Sequence, residues 1–569
     1  MSAGRNADKL AANDLAFAGL HRSGYGCALV SPRPSQDRVG PNEAIVVILN
    51  DPHGRPATAR TGGGATLDAL FRRAVLRRPD AVALVDPPDR ERFTDGAPRR
   101  LTFAQADRMV SAIAGRLRHL RLATDAIVGL QTANTVDGVL ALMGVLRAGL
   151  IAMPMPLLWR RADAVHALRR VGANALIVSG RIGEADHYDL AMQVAAEIFS
   201  VRHVCGFGRD PPDGVIALDD LYLAETIEPV ASIEHERAFP PGPGAHLAVI
   251  TWDVSAKGLV PVARSHAELI AGGLAVVFEG RLRPEATILT TLTLASFGGL
   301  AVALVPWLLV GGTLALHHPF DAAALAAQSS AVSCDTIVVP GPLVEPFAAS
   351  GLLSAKSVLA VWRAPEQLAR AATWRNAVTA MIDVQVFGEI GLIPAHRGPD
   401  GRPATIPFGA VLAPRAAKNA TLVGEVMPTP SGTVALRGPM VPGSAFPPGA
   451  ERTELPCFKA AANGFVDTGY TCCIDQGAPA MVVTGPPPGV TSVGGYRFVV
   501  RDLQEMVSRV EGGASLAVLP NAFAGQRLVG STAHRAIVRE ALAQLGVNPL
   551  LVGAFRTREP PTDDRRLND

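Results

Sequence analysis

Apolar residues recur at two periods along this chain, and the periods alternate. Leu67, Leu70, Phe71, Ala74 and Val75 repeat at helical spacing; Thr66 can cap their start and Pro79 follows their end. The run 82–85 (VALV) reads as a strand. Thr102 and Gln105 have the form of a capping box, and Val110, Ile113, Leu117 and Leu120 continue one apolar face behind it. Strands follow at 126–131 and 150–154, with a helix over about 136–147 between them. Further apolar runs at 176–179, 203–207 and 247–252 extend the series. Alternation of this kind predicts an α/β fold, with parallel strands joined by crossover helices. Residues 1–60 are poorly patterned, apart from a possible strand at 45–50. Pro-rich linkers at Phe239–Pro243, Pro442–Pro448 and Gly485–Gly489 punctuate the rest.

One stretch raises the question of a membrane. Thr287 to Leu316 carries no charge over 30 residues, long enough to cross a bilayer as a helix. Pro306 and the pairs Gly298-Gly299 and Gly311-Gly312 interrupt it, so two buried strands flanking a core helix are expected. Composition agrees with a folded body: 48% of the 569 residues are hydrophobic, which excludes a disordered chain. The formal charge of +2 argues against a nucleic-acid binder that works through a basic surface. Six cysteines form no CxxC pair and no Cys/His ligand spacing. Reduced thiols, and an N-terminus without an apolar core of signal-peptide length, predict a cytoplasmic protein.

The order of these segments resembles the adenylate-forming superfamily: acyl-CoA and aryl-CoA ligases, beetle luciferases and peptide-synthetase adenylation domains. The resemblance runs from about Thr66 to Arg566 and is carried by several patches. They are GVLRAGLIAMPMP (144–156), PWLLVGGTLALHHPFDAAAL (306–325), GPDGRPATIPFG (398–409), GTVALRGPMVPG (432–443), NGFVDTGY (463–470) and GGYRFVVRDLQEMV (494–507). It implies a large domain over 61–484, built of parallel and mixed sheets with crossover helices and a β-barrel-like part. A small α+β C-terminal domain would cover 485–569. It also implies a two-step reaction. A carboxylate attacks the α-phosphate of ATP, with magnesium, to give an acyl-adenylate and pyrophosphate; a thiol such as coenzyme A then displaces AMP.

Each part of that machinery has a counterpart here, and most are altered. The phosphate loop aligns with Trp252–Pro261, where Val254, Lys257 and Pro261 replace glycines. Glycines let backbone N–H groups close on phosphate oxygens; valine and proline resist this, and proline has no N–H. Asp253 adds a negative charge, while Ser255 keeps a hydroxyl and Lys257 offers a displaced cation. The Tyr-Gly-x-Thr-Glu element aligns with Phe387-Gly388-Glu389-Ile390-Gly391. Phe387 and Gly388 retain a stacking platform for a flat ring, and Glu389, two residues before the usual position, is the candidate magnesium ligand against a capping or surface role. The ribose-binding Asp aligns with Tyr470, a phenol capable of one hydrogen bond. Pro486, Pro488 and Gly489 stand at the hinge positions, which predicts a stiff connector. Arg566 stands where the late catalytic lysine falls, and Ser296 where a histidine often lies.

Three readings of function follow. In the first, the fold has weakened or lost its ATP chemistry, making it a pseudoenzyme. It keeps an acyl, aryl or coenzyme A pocket and acts by binding a carboxylate or acyl thioester, or beside a partner enzyme or acyl carrier protein. In the second, it is a working ligase of a fatty or aromatic acid with relocated groups, Lys257, Glu389 and Arg566. The third is a nucleotide-independent acyl transferase, for which Cys472 or Cys473 with His266 or His396 would supply nucleophile and base. Arg160-Arg161 and Arg169-Arg170 are candidate contacts for coenzyme A phosphates, against a solvated helix face.

Overall fold

The fold is described from a computed structural model over residues 64–222, 242–351, 353–376, 378–414, 420–475, 477–521 and 524–556. Arg566 and the possible strand at 45–50 lie outside these residues. The local signals have physical counterparts. Thr66 caps the helix Leu67–Arg77 by accepting from the Ala69 N–H at 3.0 Å. Thr102 and Gln105 close a reciprocal capping box on Phe103–His119, each side chain taking the other's backbone N–H.

Two mostly parallel sheets form the large body. The first runs in the order Gly258–Ser265, Leu247–Ser255, Ile151–Pro154, Ile127–Gln131, Ala175–Ser179, His203–Phe207, Val215–Ala217. Every pairing in it is parallel except that between Leu247–Ser255 and Gly258–Ser265. The second runs Gly391–His396, Ala380–Phe387, Ser357–Trp362, Thr336–Pro340, Ile288–Thr290, Leu314–Leu316, Val82–Val85, Arg100–Thr102, and is antiparallel only at its two ends. One hydrophobic cluster joins both: Val128 and Ala152 of the first sheet, Ile288 and Leu314 of the second, and the helices Phe103–His119, Val136–Arg147 and His266–Glu279. All twelve residues of Val136–Arg147 are buried, so the helix is apolar on most of its surface and its two charges, Asp137 and Arg147, are paired with Arg90 and Asp68.

The uncharged stretch 287–316 is interior. Its strands are shorter than the apolar runs suggest, Ile288–Thr290 and Leu314–Leu316. Between them Pro306 does not break the helical run from Phe297 to Val310. The turn Leu300–Leu304 widens to π geometry just ahead of it, where a missing N–H disturbs the ladder least. Among the described residues no helix is long and apolar enough to cross a membrane.

A third, six-stranded antiparallel sheet follows: Ile406–Pro407, Ala480–Gly485, Val466–Ile474, Thr433–Arg437, Thr421–Pro428, Gly409–Ala413. Its first and last strands are consecutive in the chain, so the sheet must curl round on itself, as a barrel does. The fourth sheet, Tyr496–Val499, Val490–Val493, Gly525–Ser531, Ser515–Asn521, is smaller. With the helices Val500–Val510 and Arg535–Gln544 it encloses a core of its own, from Val493 to Phe555.

Candidate functional site

In open parallel sheets ligands gather outside the carboxyl ends of the strands. Four neighbouring strands of the eight-stranded sheet obey this rule. The residues after Ile288–Thr290, at the end of Thr336–Pro340, after Ser357–Trp362 and after Ala380–Phe387 are Thr291, Pro340, Arg363 and Gly388. All four line one cavity of about 1190 Å³. Its far walls come from Trp159 and Trp252 of the seven-stranded lobe and from Tyr496 and Arg497 of the small C-terminal sheet.

The segment expected to hold phosphates is a tight hairpin. The strand foreseen at 247–252 continues to Ser255, and its residues pair with the returning strand in register: Trp252 with Pro261, Asp253 with Val260, Val254 with Leu259, Ser255 with Gly258. β-Branched Val254 suits an extended backbone, and Pro261 is tolerated because Gly258–Ser265 is the sheet's edge. Two amides at this turn are occupied by side chains. Val254 N–H donates to the Asp253 carboxylate at 2.6 Å, and Lys257 N–H to Ser255 Oγ at 3.3 Å. Lys257 itself is exposed, at the cavity's rim.

Asp253 is the hub of a buried polar knot. Its carboxylate accepts from Glu389 N–H at 2.8 Å and forms an ion pair with Arg497, which arrives from the C-terminal sheet. Gly388 makes this possible. Its φ is +56°, and a Cβ there would collide with the Asp253 carboxylate and Arg497. Glu389 is 3% exposed, and its Oε2 accepts the Phe297 N–H at 2.6 Å, at the head of the Phe297–Val310 helical run. Burial pushes its carboxyl above the usual range, with the Arg363 charge opposing. Ser296, at the family's histidine position, caps the same helix start.

The candidate nucleotide contacts are packed together as well. Phe387 is fully buried, its ring edge-on to Tyr470 at 5.6 Å between centroids. The guanidinium of Arg497 lies 5.5 Å from the Tyr470 ring centre, and the Tyr470 hydroxyl donates to Arg363 O at 3.4 Å. Arg169 and Arg170 reach the cavity, but Arg161 pairs with Glu197 and Arg160 donates to Leu157 and Trp159 carbonyls. The groups considered for acyl transfer lie on different elements, His396 at the end of the strand Gly391–His396 and His266 at the start of the helix His266–Glu279. Cys472 and Cys473 sit on the barrel strand Val466–Ile474, whereas His266 accepts from Leu67 N–H at 3.3 Å. Burial raises the Cys472 thiol, which works against a thiolate nucleophile.

Two important residues escaped the sequence reading. Arg497 pairs with a residue 244 positions away, a relation no local pattern encodes. Arg363 had a signal: it is the first charged residue after the apolar strand Ser357–Trp362, at the carboxyl end of a parallel strand.

Comparison with known proteins places this architecture. A family model described as "AMP-binding enzyme" matches residues 71–389, more than half of the chain. The chain belongs to that family. Among curated relatives, the salicyl-AMP ligase / salicyl-S-ArCP synthetase of Mycobacterium tuberculosis is 28% identical over 178 residues, 31% of each chain. The 2-hydroxy-7-methoxy-5-methyl-1-naphthoate–CoA ligase of Streptomyces carzinostaticus is 31% identical over 213 residues, 36% of this chain and 35% of its own. The matched stretches thus span about a third of these relatives. The apo structure of Mycobacterium smegmatis MbtA superposes with a TM-score of 0.58 at 21% identity, covering 85% of this chain and 89% of that one. The fold is therefore that of the adenylate-forming ligases, large body and small C-terminal domain included.

Proposed function

We propose that this family member binds an acyl or aryl carboxylate, free or as a thioester, in the ligase cavity without adenylating it. The observation that carries this reading is the hairpin Leu247–Ser265 with the Asp253–Arg497 pair. A triphosphate needs convergent free amides and local positive charge. Here the amides of Val254 and Lys257 are satisfied by side chains, and an aspartate sits at the turn with the Arg497 guanidinium already spent on it. Magnesium prefers ionised oxygen ligands. Glu389, buried and with a raised pKa, is committed to the Phe297 amide. Phe387 and Tyr470 are both buried and packed edge to face, so neither presents an exposed face to an adenine ring. The residues present do not fit ATP with magnesium.

The acid class is aromatic or acyl. Trp159, Trp252 and Trp362 in the walls favour flat or aliphatic bodies, and the names of the two curated relatives specify salicyl and naphthoate groups. A carrier protein or coenzyme A would present the thioester form. ATP–pyrophosphate exchange over a panel of carboxylates tests the proposal. No exchange above background is expected, and robust exchange rejects it. The second reading, a working ligase with relocated groups, has one observation in its favour: Lys257 stands on the cavity rim with no hydrogen bond or ion pair through its ammonium among the described residues. Exchange that is present and then lost in Lys257→Ala would establish that reading.

A further inference from the structure

The cavity's ionisable groups are almost all committed. Asp253 is paired with Arg497, Glu389 with the Phe297 amide, and Asp502 with Arg501. Asp163 accepts the Arg160 N–H at 3.3 Å. Arg170 donates to the carbonyls of Leu259 and Pro456, and Arg169 to that of Glu197. Two cations remain without a hydrogen bond or ion pair among the described residues, Lys257 and Arg363. Lys257 is exposed on the hairpin turn; Arg363 is half-buried. The backbone holds Arg363 firmly. Its carbonyl accepts from Tyr470, the preceding Trp362 is anchored through its indole to Asp383 at 2.9 Å, and Gly495 packs beside the guanidinium.

Arg363 feels the field of the buried Glu389 carboxyl but makes no direct ion pair with it, and Glu389 spends its own oxygen on the Phe297 amide. A half-buried guanidinium with unused donors is costly unless something completes it. We propose that Arg363 is the anchor for the ionised carboxylate of an apolar acid, with the ligand's body lying against Trp159, Trp252 and Leu292. This rests on the preceding reading that the cavity takes a carboxylate, and adds which form it takes and what holds it. A guanidinium offers two parallel N–H donors to a carboxylate, a geometry that neither an amide nor a thioester carbonyl can match. The free acid, rather than its thioester, is therefore the preferred ligand. Phosphates of coenzyme A share the anionic chemistry but carry no apolar body next to the charge.

Isothermal titration of the full-length protein tests this with dodecanoate and 2-naphthoate, each against its primary amide, and with coenzyme A alone. At least one acid should bind about ten-fold or more tightly than its amide, a margin typical of one charge-assisted contact. Arg363→Met should bring acid and amide within about two-fold, whereas Arg363→Lys should keep part of the preference because the charge remains. Melting temperatures of both variants establish folding, and the lysine variant carries the test if the methionine variant fails to fold. Four outcomes overturn the anchor: no binding of either acid, equal binding of acid and amide, a preference that survives Arg363→Met, or a preference removed by Lys257→Met instead. Tighter binding of coenzyme A than of both acids, lost in Arg363→Met, would assign the residue to phosphate and also overturn it. Failure of both acids to bind would also undo the reading that the cavity takes a carboxylate, whereas binding without an Arg363-dependent acid preference overturns the anchor alone, and pyrophosphate exchange bears only on adenylation.

Discussion

At the scale of single residues, Gly388 is the most constrained position of the site. It combines a left-handed backbone with the closest approach to the Asp253–Arg497 pair. Gly388→Ala must either move Arg497 or distort the backbone, and should cost about 2 kcal/mol or more. Denaturant midpoints would measure this, and a loss below about 0.5 kcal/mol would show that the knot yields freely. A second residue sets a pH dependence. His187 is buried, and that burial, with Arg160 nearby, lowers its pKa to about 4 from 6.5. The depressed value means that the unfolded chain binds the proton more readily. Stability is therefore intact above about 6.5 and falls as pH drops toward 4, on the order of 3 kcal/mol in all. His187→Gln should flatten the urea-measured stability profile across that window. What sequence could tell at this scale was residue type. That Val254, Pro261 and Gly391 differ from the family pattern was readable; that Glu389 turns inward to an amide was not, because its partner Phe297 lies 92 residues away.

At the scale of elements, local signals translated well wherever the contact was local. The capping box at Thr102 and the cap at Thr66 involve partners three residues apart, so sequence carries the whole interaction. The hairpin at 247–265 was less legible. Its strands were expected to stop before a phosphate loop, yet the edge position that admits Pro261 depends on which strand lies outermost. The turn between Val490–Val493 and Tyr496–Val499 offers a test of such reasoning. Gly494 and Gly495 have φ of +57° and +84°, as a two-residue hairpin loop matching the strand twist requires. No neighbour lies within 4 Å of a Cβ at Gly494, whereas at Gly495 it would meet the Arg363 guanidinium at 3.1 Å. Gly494→Asn should be neutral or slightly stabilising, since asparagine tolerates this region. Gly495→Ala should lose about 1–2 kcal/mol by combining backbone strain with that contact. Chemical denaturation of the two variants distinguishes them, and equal effects would mean that the guanidinium simply gives way.

At the scale of the molecule, the small C-terminal unit is the part whose behaviour depends most on its partner. Its core draws ten buried residues from Val493 to Phe555. A unit of roughly 60 residues buries only about 60% of its unfolded surface and is marginal alone. Docking contacts supply the remainder: Arg497 to Asp253, the Tyr496 hydroxyl accepting from Leu158 N–H at 3.3 Å, and Gly546 O accepting from Ala162 N–H at 3.0 Å. Of these the ion pair is the most exacting, because both side chains are largely buried, at 10% and 13% exposure. Removing one partner leaves the other charge stranded, a loss of about 3–5 kcal/mol, whereas removing both leaves no stranded charge. Asp253→Ala should therefore split the thermal unfolding of the chain, with the C-terminal unit melting first. Asp253→Ala with Arg497→Met should bring the two transitions back toward each other. Scanning calorimetry reads both, and a single wild-type-like transition in Asp253→Ala would mean that the pair contributes nothing to docking. The same pair closes the cavity on the side facing the hairpin. Uncoupling the unit should thus open the chamber around Trp252 as it loosens the fold, and fluorescence quenching of the cavity tryptophans by acrylamide should rise in step with the calorimetric split.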